Sequence, residues 1–221
     1  MVKIIGHRGA AGHTAENSLE SFQIAIKLGC DKAELDVKLS KDNHVVVFHD
    51  DEISRVTNGT GLVHELKLSE LKKYRLENGQ SIPTLQEVID IAKGKIDLQI
   101  ELKAPHTPKP VYEILLKNNL IDNTIITSFD AELLKEIKSI NPNLKTGLLF
   151  REYSEHIWQL VDKLSVDMIG PKGIIVTKDM IEKAHKRGKI VYAYHVTKPL
   201  GTKLIPLGID EIGTDYPELF H

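Results

Sequence analysis

The sequence predicts an α/β protein, a TIM-type (β/α)8 barrel with one small insertion, on three observations. About eight short apolar runs alternate with helical-period segments along the 221 residues, the number a closed parallel barrel requires. Polar groups of chemical interest sit where such runs end and come from both halves of the chain, whereas an open doubly wound sheet would gather them at one crevice. Within residues 95–103, Ile96, Leu98, Ile100 and Leu102 alternate with Asp97, Gln99, Glu101 and Lys103. One face suits burial under flanking helices and the other suits a lumen.

Residues 2–6 read as a short buried strand. Residues 18–28 follow as a helix, with Leu19, Phe22, Ile26, Ala25 and Leu28 at helical spacing and Gly29 closing it. Residues 32–39 alternate, with Leu35, Val37 and Leu39 on one face and Glu34, Asp36 and Lys38 on the other. Residues 43–49 are a β-branched run entered through a Lys41-Asp42-Asn43 turn. The texture then changes at about 51–82, where Asn58-Gly59, Gly61 and Asn78-Gly79 punctuate the chain and only 69–74 reads as helix. Its apolar content is too small for a core of its own, so it is expected to be an insertion within one barrel domain spanning 1–221. From residue 84 the rhythm is regular. Helices are expected at 84–93 (capped by Thr84, with Glu87 three residues on), 109–118, 130–140, 154–164, 177–187 and 199–207. Strands are expected at 95–103, 124–128, 145–150, 167–170, 189–195 and 209–213.

Composition excludes several classes. A hydrophobic fraction of 41% and a charged fraction of 27% are ordinary for a globular protein long enough to bury a substantial core. A formal net charge of -2 gives no reason to expect nucleic acid or an anionic membrane as partner. No apolar stretch approaches a membrane span, so no stable membrane insertion is expected. Strand-like sequence begins at residue 2, so no secretory signal is expected within these residues, and a cytoplasmic location is the default expectation. The single Cys30 excludes an intramolecular disulfide and reads as a small buried residue. The helix faces are apolar enough for a monomer, and a homodimer is equally compatible.

The candidate chemistry lies in four short stretches: Gly6-His7-Arg8-Gly9, Glu34-Leu35-Asp36, His49-Asp50 and Glu101-Leu102-Lys103. Glu34 and Asp36 at i and i+2 project to one side of a strand, and Glu101 is placed similarly on another. Three carboxylates brought together repel one another unless a cation sits between them, and hard oxygen donors favour Mg2+ or Ca2+ over zinc. The plainer reading pairs them with Lys38 and Lys103 as salt bridges on an exposed edge. His7 and His49 each end an apolar run, where a parallel strand delivers side chains to the rim, and two imidazoles suit proton transfer at phosphorus. Arg8 offers a planar fork for phosphate oxygens and Lys103 a point charge. Glu16 and Asn17, just before the first helix, read from spacing alone as N-terminal capping.

In their order and spacing these stretches resemble the glycerophosphodiester phosphodiesterase family. The matching segments are HRGAAGHTAENSLESF at 7–22, AELDVKLSKDNHVVVFHDD at 33–51, RVTNGTG at 55–61, IPTLQEV at 82–88, IELK at 100–103 and GTDYP at 213–217. The resemblance covers nearly the whole chain. It implies a TIM-type barrel with a small insertion after the His49 strand, and one divalent cation (Mg2+ or Ca2+, with Mn2+ the further candidate) held by Glu34, Asp36 and Glu101. It implies His7 and His49 as the catalytic acid/base pair, and Arg8 and Lys103 as phosphate ligands. Asn17 becomes hydrogen-bond support, Glu16 a group near the metal or His7, and Arg55 and Thr57 residues that order the insertion. The sequence departs from the family pattern at Tyr194, where Trp is common, and at Thr197, near which an asparagine often stands. Tyr194 is expected to wall the substrate site. His195 reads as strand packing.

The expected reaction is hydrolysis of a glycerophosphodiester, a small-molecule substrate, to sn-glycerol 3-phosphate and an alcohol, with water or the neighbouring glycerol hydroxyl as attacking group. The alternatives are a lysophospholipase D-like enzyme on longer lipids and a barrel that binds phosphoglycerol without turnover.

Overall fold

The computed structural model describes residues 1–220. Its strands in chain order are β1 (Lys3–Gly6), β2 (Lys32–Leu39), β3 (Val45–Val47), β4 (Asp97–Leu102), β5 (Thr124–Ser128), β6 (Lys145–Phe150), β7 (Met168–Pro171), β8 (Ile190–Ala193) and β9 (Glu211–Thr214). The helices are α1 (Leu19–Lys27), α2 (Leu68–Leu71), α3 (Leu85–Ala92), α4 (Pro108–Asn118), α5 (Ala131–Ile140), α6 (His156–Leu164), α7 (Lys178–His185) and α8 (Lys198–Leu204). β1 pairs in parallel with both β2 and β9, which closes β1, β2 and β4 to β9 into the predicted eight-stranded barrel.

Strand alternation divides the interior in two. Outward-facing Leu35, Val37, Leu98 and Ile100 pack against Phe22 of α1 and Leu85, Val88 and Ile89 of α3 in one continuous cluster. Each such side chain, fully buried, contributes about 1.5–3 kcal/mol. Inward-facing Ile5, Ile125, Met168 and Tyr192 form a separate cluster that fills the lumen. Below it, where β2 and β9 begin, the Lys32 ammonium lies 2.6 Å from Glu211. The pair keeps two buried charges from standing alone.

Local chemistry sets the helix starts. Ser18 caps α1, its Oγ accepting from the Ser21 amide, and Thr84 caps α3 in the expected reciprocal box with Glu87. The helix expected at 69–74 is shorter and shifted, Leu68–Leu71.

Residues 43–49 depart from the expectation of a parallel strand ending at the rim. The chain turns at Asn43, whose φ of 61° is left-handed, and the Ser40 hydroxyl accepts from the His44 amide. β3 therefore runs back antiparallel along β2, with Val47 opposite Val37 and Val45 opposite Leu39. The Phe48 amide continues the ladder to the Asp36 carbonyl at 3.0 Å, so His49 arrives beside β2 rather than at the tip of a barrel strand. The segment beyond it builds a small apolar cluster from Ile53, Val56, Val63, Leu71, Leu76 and Ile82, closed by Ala15, Val46 and Phe48. Among the described residues no helix is long and apolar enough to cross a membrane.

Cys30 is 7% exposed, and burial, helped by the charge of Asp31, pushes its thiol up to about 12. Iodoacetamide at pH 8 should therefore modify the native protein at least about a hundredfold more slowly than the urea-unfolded chain, as read by mass spectrometry.

Candidate active site

The carboxylates converge because β2 and β4 are neighbours in register, with Asp36 opposite Glu101 and Glu34 opposite Gln99. Glu34, Asp36 and Glu101 each bring an oxygen to a point where all three lie within 4.8 Å of one another, and all three are buried. Lys38 reaches away to Asp51. Lys103 lies 2.9 Å from Glu101 and 3.6 Å from Asp36. The plainer reading, an exposed edge of salt bridges, does not describe this cage.

The electrostatics are those of an oxygen cage short of positive charge. Burial, then the charge of Asp36, hold Glu34 and Glu101 well above the usual carboxylate range. Asp36 is buried too, yet Arg8 and Lys103 bring it below its ordinary value. Oxygen-only donors, fixed on two adjacent strands and mutually repelling, fit a hard divalent cation.

The turn after β1 presents His7 and Arg8. The His7 amide donates to the Thr214 carbonyl, and Arg8 takes a left-handed backbone, φ 49°. Its guanidinium donates to Glu16 at 2.8 Å and lies 3.3 Å from Asp36 through Nε. That Nε is buried and has no aligned hydrogen-bond acceptor. Asn17, also left-handed at φ 56°, donates to Asp36 at 2.9 Å. Non-glycine residues in this region cost about 1–3 kcal/mol each and persist where surrounding contacts hold them.

The capping expected from spacing is corrected here. Ser18, not Glu16 or Asn17, caps α1, and Asn17 supports Asp36. Glu16 pairs with Arg8, whose Nε lies beside Asp36, and with Arg55 of the segment after β3. Arg55 also grips Asp50, which receives the Nδ1–H of His49. One ionic chain thus links Arg8, Glu16, Arg55, Asp50 and His49.

His7 is held the same way, its Nδ1 2.6 Å from Asp215 just past β9. Burial lowers a histidine pKa, but at His7 the Asp215 hydrogen bond and the Glu34 charge outweigh it and the value is raised. At His49 burial prevails over Asp36 and Asp50, and the value is lowered. Both rings spend Nδ1 on a carboxylate and leave Nε2 free.

His7, Arg8, Glu34, His49, Glu101 and Lys103 line one pocket at the barrel mouth. Tyr194, expected to wall the site, lines it with its hydroxyl 3.3 Å from the Phe150 carbonyl. His195 is not strand packing: it follows β8 at φ 55° and stacks edge-on against His7, ring centres 4.9 Å apart. Asp215 was not singled out from sequence. Its signal was positional, a carboxylate directly after the last barrel strand, within the GTDYP segment.

The arrangement has recorded relatives. The model of the Glycerophosphoryl diester phosphodiesterase family matches residues 7–219. The chain belongs to that family. A glycerophosphodiester phosphodiesterase of Caldanaerobacter subterraneus is 32% identical over 97% of this chain and 94% of its own. The solved phosphodiesterase of Oleispira antarctica, in complex with the product sn-glycerol-3-phosphate, superposes with a TM-score of 0.92 at 28% identity, covering 98% of this chain and 94% of that one. The glycerophosphodiester phosphodiesterase of Thermotoga maritima gives 0.88 at 31% identity, covering 100% and 97%. As a phosphodiesterase of this family, the chain is an enzyme on a (β/α)8 barrel, and its buried acidic triad is one that could bind a metal ion.

Gly9 lets the Arg8 turn close. Its φ is 85°, and a Cβ there would meet the Ser21 carbonyl carbon at 2.6 Å and the Phe22 amide nitrogen at 2.8 Å. Gly9→Ala should cost roughly 2–4 kcal/mol in urea unfolding, because strain and overpacking add.

Proposed function

We propose that the protein hydrolyses glycerophosphodiesters to sn-glycerol 3-phosphate and a free alcohol, with a divalent cation and two histidines. The observation that carries this is two carboxylate-held imidazoles, His7 and His49, opening on the same pocket as the three-carboxylate cage. The product-bound Oleispira antarctica structure supports the substrate class. Residues 1–221 act as one unit in this reading, because the segment after β3 holds His49 through Arg55 and Asp50.

Glu34, Asp36 and Glu101 would hold the cation, Mg2+ or Ca2+ in the first place and Mn2+ in the second. When bound it supplies Lewis-acid stabilisation to the charge that grows on phosphate oxygens. Arg8 Nε and the Lys103 ammonium bind the remaining phosphate oxygens, and a phosphate oxygen gives the buried Nε its missing acceptor. Tyr194 walls the pocket and Asn17 fixes Asp36. His49, whose hold on a proton burial weakens, takes the proton from the attacking oxygen. His7, whose hold on a proton Asp215 strengthens, gives its proton to the departing alcohol as the bond from phosphorus to that oxygen breaks. Attack by water gives the products directly. Attack by the neighbouring glycerol hydroxyl gives a cyclic phosphate that water then opens, and proximity favours this route.

Release of sn-glycerol 3-phosphate from glycerophosphocholine or glycerophosphoethanolamine, followed with Mg2+, Mn2+ and Ca2+ in turn, tests the reading. A chelator should abolish release, and His7→Ala and His49→Ala should each lower kcat by about 10²–10⁴-fold. Absence of metal-dependent release from any diester would leave a binding barrel instead.

Asp215→Asn replaces the carboxylate that raises the His7 pKa by a neutral amide, so that value falls. A group that acts while protonated is then lost at lower pH. The alkaline limb of the kcat/KM profile should move to lower pH, and kcat at pH 7 should drop roughly a hundredfold.

A further inference from the structure

The pocket has a second wall that the proposed mechanism leaves unused. The ends of β1, β2 and β4 carry the carboxylates and their attendants, while the ends of β5 to β8 bring Phe129, Arg151, Lys172 and Tyr194 to the same mouth. Arg151 lies over the Phe129 ring, its guanidinium carbon 4.0 Å from the ring centre, and Tyr194 meets that ring edge-on at 5.7 Å. Lys103 Nζ is 5.9 Å from the same ring centre. Arg151 is therefore no farther from Lys103 than those two distances laid end to end, a reach that a three-carbon bridge between two phosphates covers.

Charge decides what this wall can accept. The ion pairs of the rim engage Arg8, Arg55 and Lys103, and among the described residues neither Arg151 nor Lys172 has a carboxylate partner. Both are exposed at the mouth. A quaternary ammonium head group would look for an open aromatic face, but Arg151 already covers Phe129. A second anion suits the wall better. The guanidinium fork, steadied on the ring, offers paired donors, and Lys172 at the end of the next strand adds a point charge.

Building on the proposed phosphodiesterase reading, we propose that Arg151 and Lys172 select glycerophosphodiesters whose alcohol carries a second phosphate, over those with a cationic head group. The scissile phosphate sits beside the carboxylate cage, against Lys103, and the second phosphate on Arg151 and Lys172. Attraction across a partly solvated mouth is weakened by salt, so the selectivity is strongest at low ionic strength.

The experiment compares kcat/KM, per scissile bond, for bis(glycerophospho)glycerol and for glycerophosphocholine with the divalent cation present. The wild-type protein should favour the bis-phosphodiester by at least about tenfold at 20 mM salt and by clearly less at 0.5 M. The double variant Arg151→Gln, Lys172→Met should lose most of that ratio, each preparation being checked for an unchanged thermal melt. Equal kcat/KM values for the two diesters in the wild type, or a ratio untouched by salt and by the double substitution, would overturn this selectivity and leave the phosphodiesterase reading standing. Hydrolysis of neither diester would instead overturn that reading, and the selectivity with it.

Discussion

Glu34, Asp36 and Glu101 lie buried together, and burial deprives each negative charge of the water that would otherwise screen it. Much of the mouth of the barrel answers that repulsion. Arg8 and Lys103 lean in from the ends of β1 and β4, and Asn17 adds a hydrogen bond to Asp36. The residues that answer it are themselves constrained. Arg8 and Asn17 adopt backbone conformations that L-residues seldom take, and Gly9 is the residue that lets the turn between them pack against α1. The unfavourable concentration of charge and the strained turn belong to one device, whose parts would separate if either were relaxed.

The second tier of the site has a different character. His7 and His49 come from separate segments, after β1 and after β3, yet each is fixed through Nδ1 by an aspartate outside the carboxylate cage. Asp215 comes from the last barrel strand and Asp50 from the chain leaving β3, so the two rings are oriented independently. Their environments differ in consequence: Asp215 outweighs burial at His7, while burial outweighs Asp50 at His49. One kind of contact thus yields two kinds of imidazole.

How legible this was in the sequence depends on how local the cause is. The barrel could be read because every strand has alternate faces answering to helices and to lumen, as Leu98 and Ile100 do on one side and Gln99 and Glu101 on the other. The capping of α3 could be read because Thr84 and Glu87 are three residues apart. The direction of residues 43–49 could not, since a β-branched run looks the same whether its strand is parallel or antiparallel. Glu16 could not be placed because one of its partners, Arg55, is a distant residue whose position depends on the path of the intervening chain. Asp215 and Arg151 follow single strands with no repeating neighbour, and only the closed circuit of the sheet shows what they face.

The bottom of the barrel has a consequence for traffic. With Tyr192, Met168, Ile125 and Ile5 stacked above the Lys32–Glu211 pair, the lumen is a blind well. Whatever enters at the mouth must depart through it, so the two fragments of a cleaved molecule queue at a single doorway.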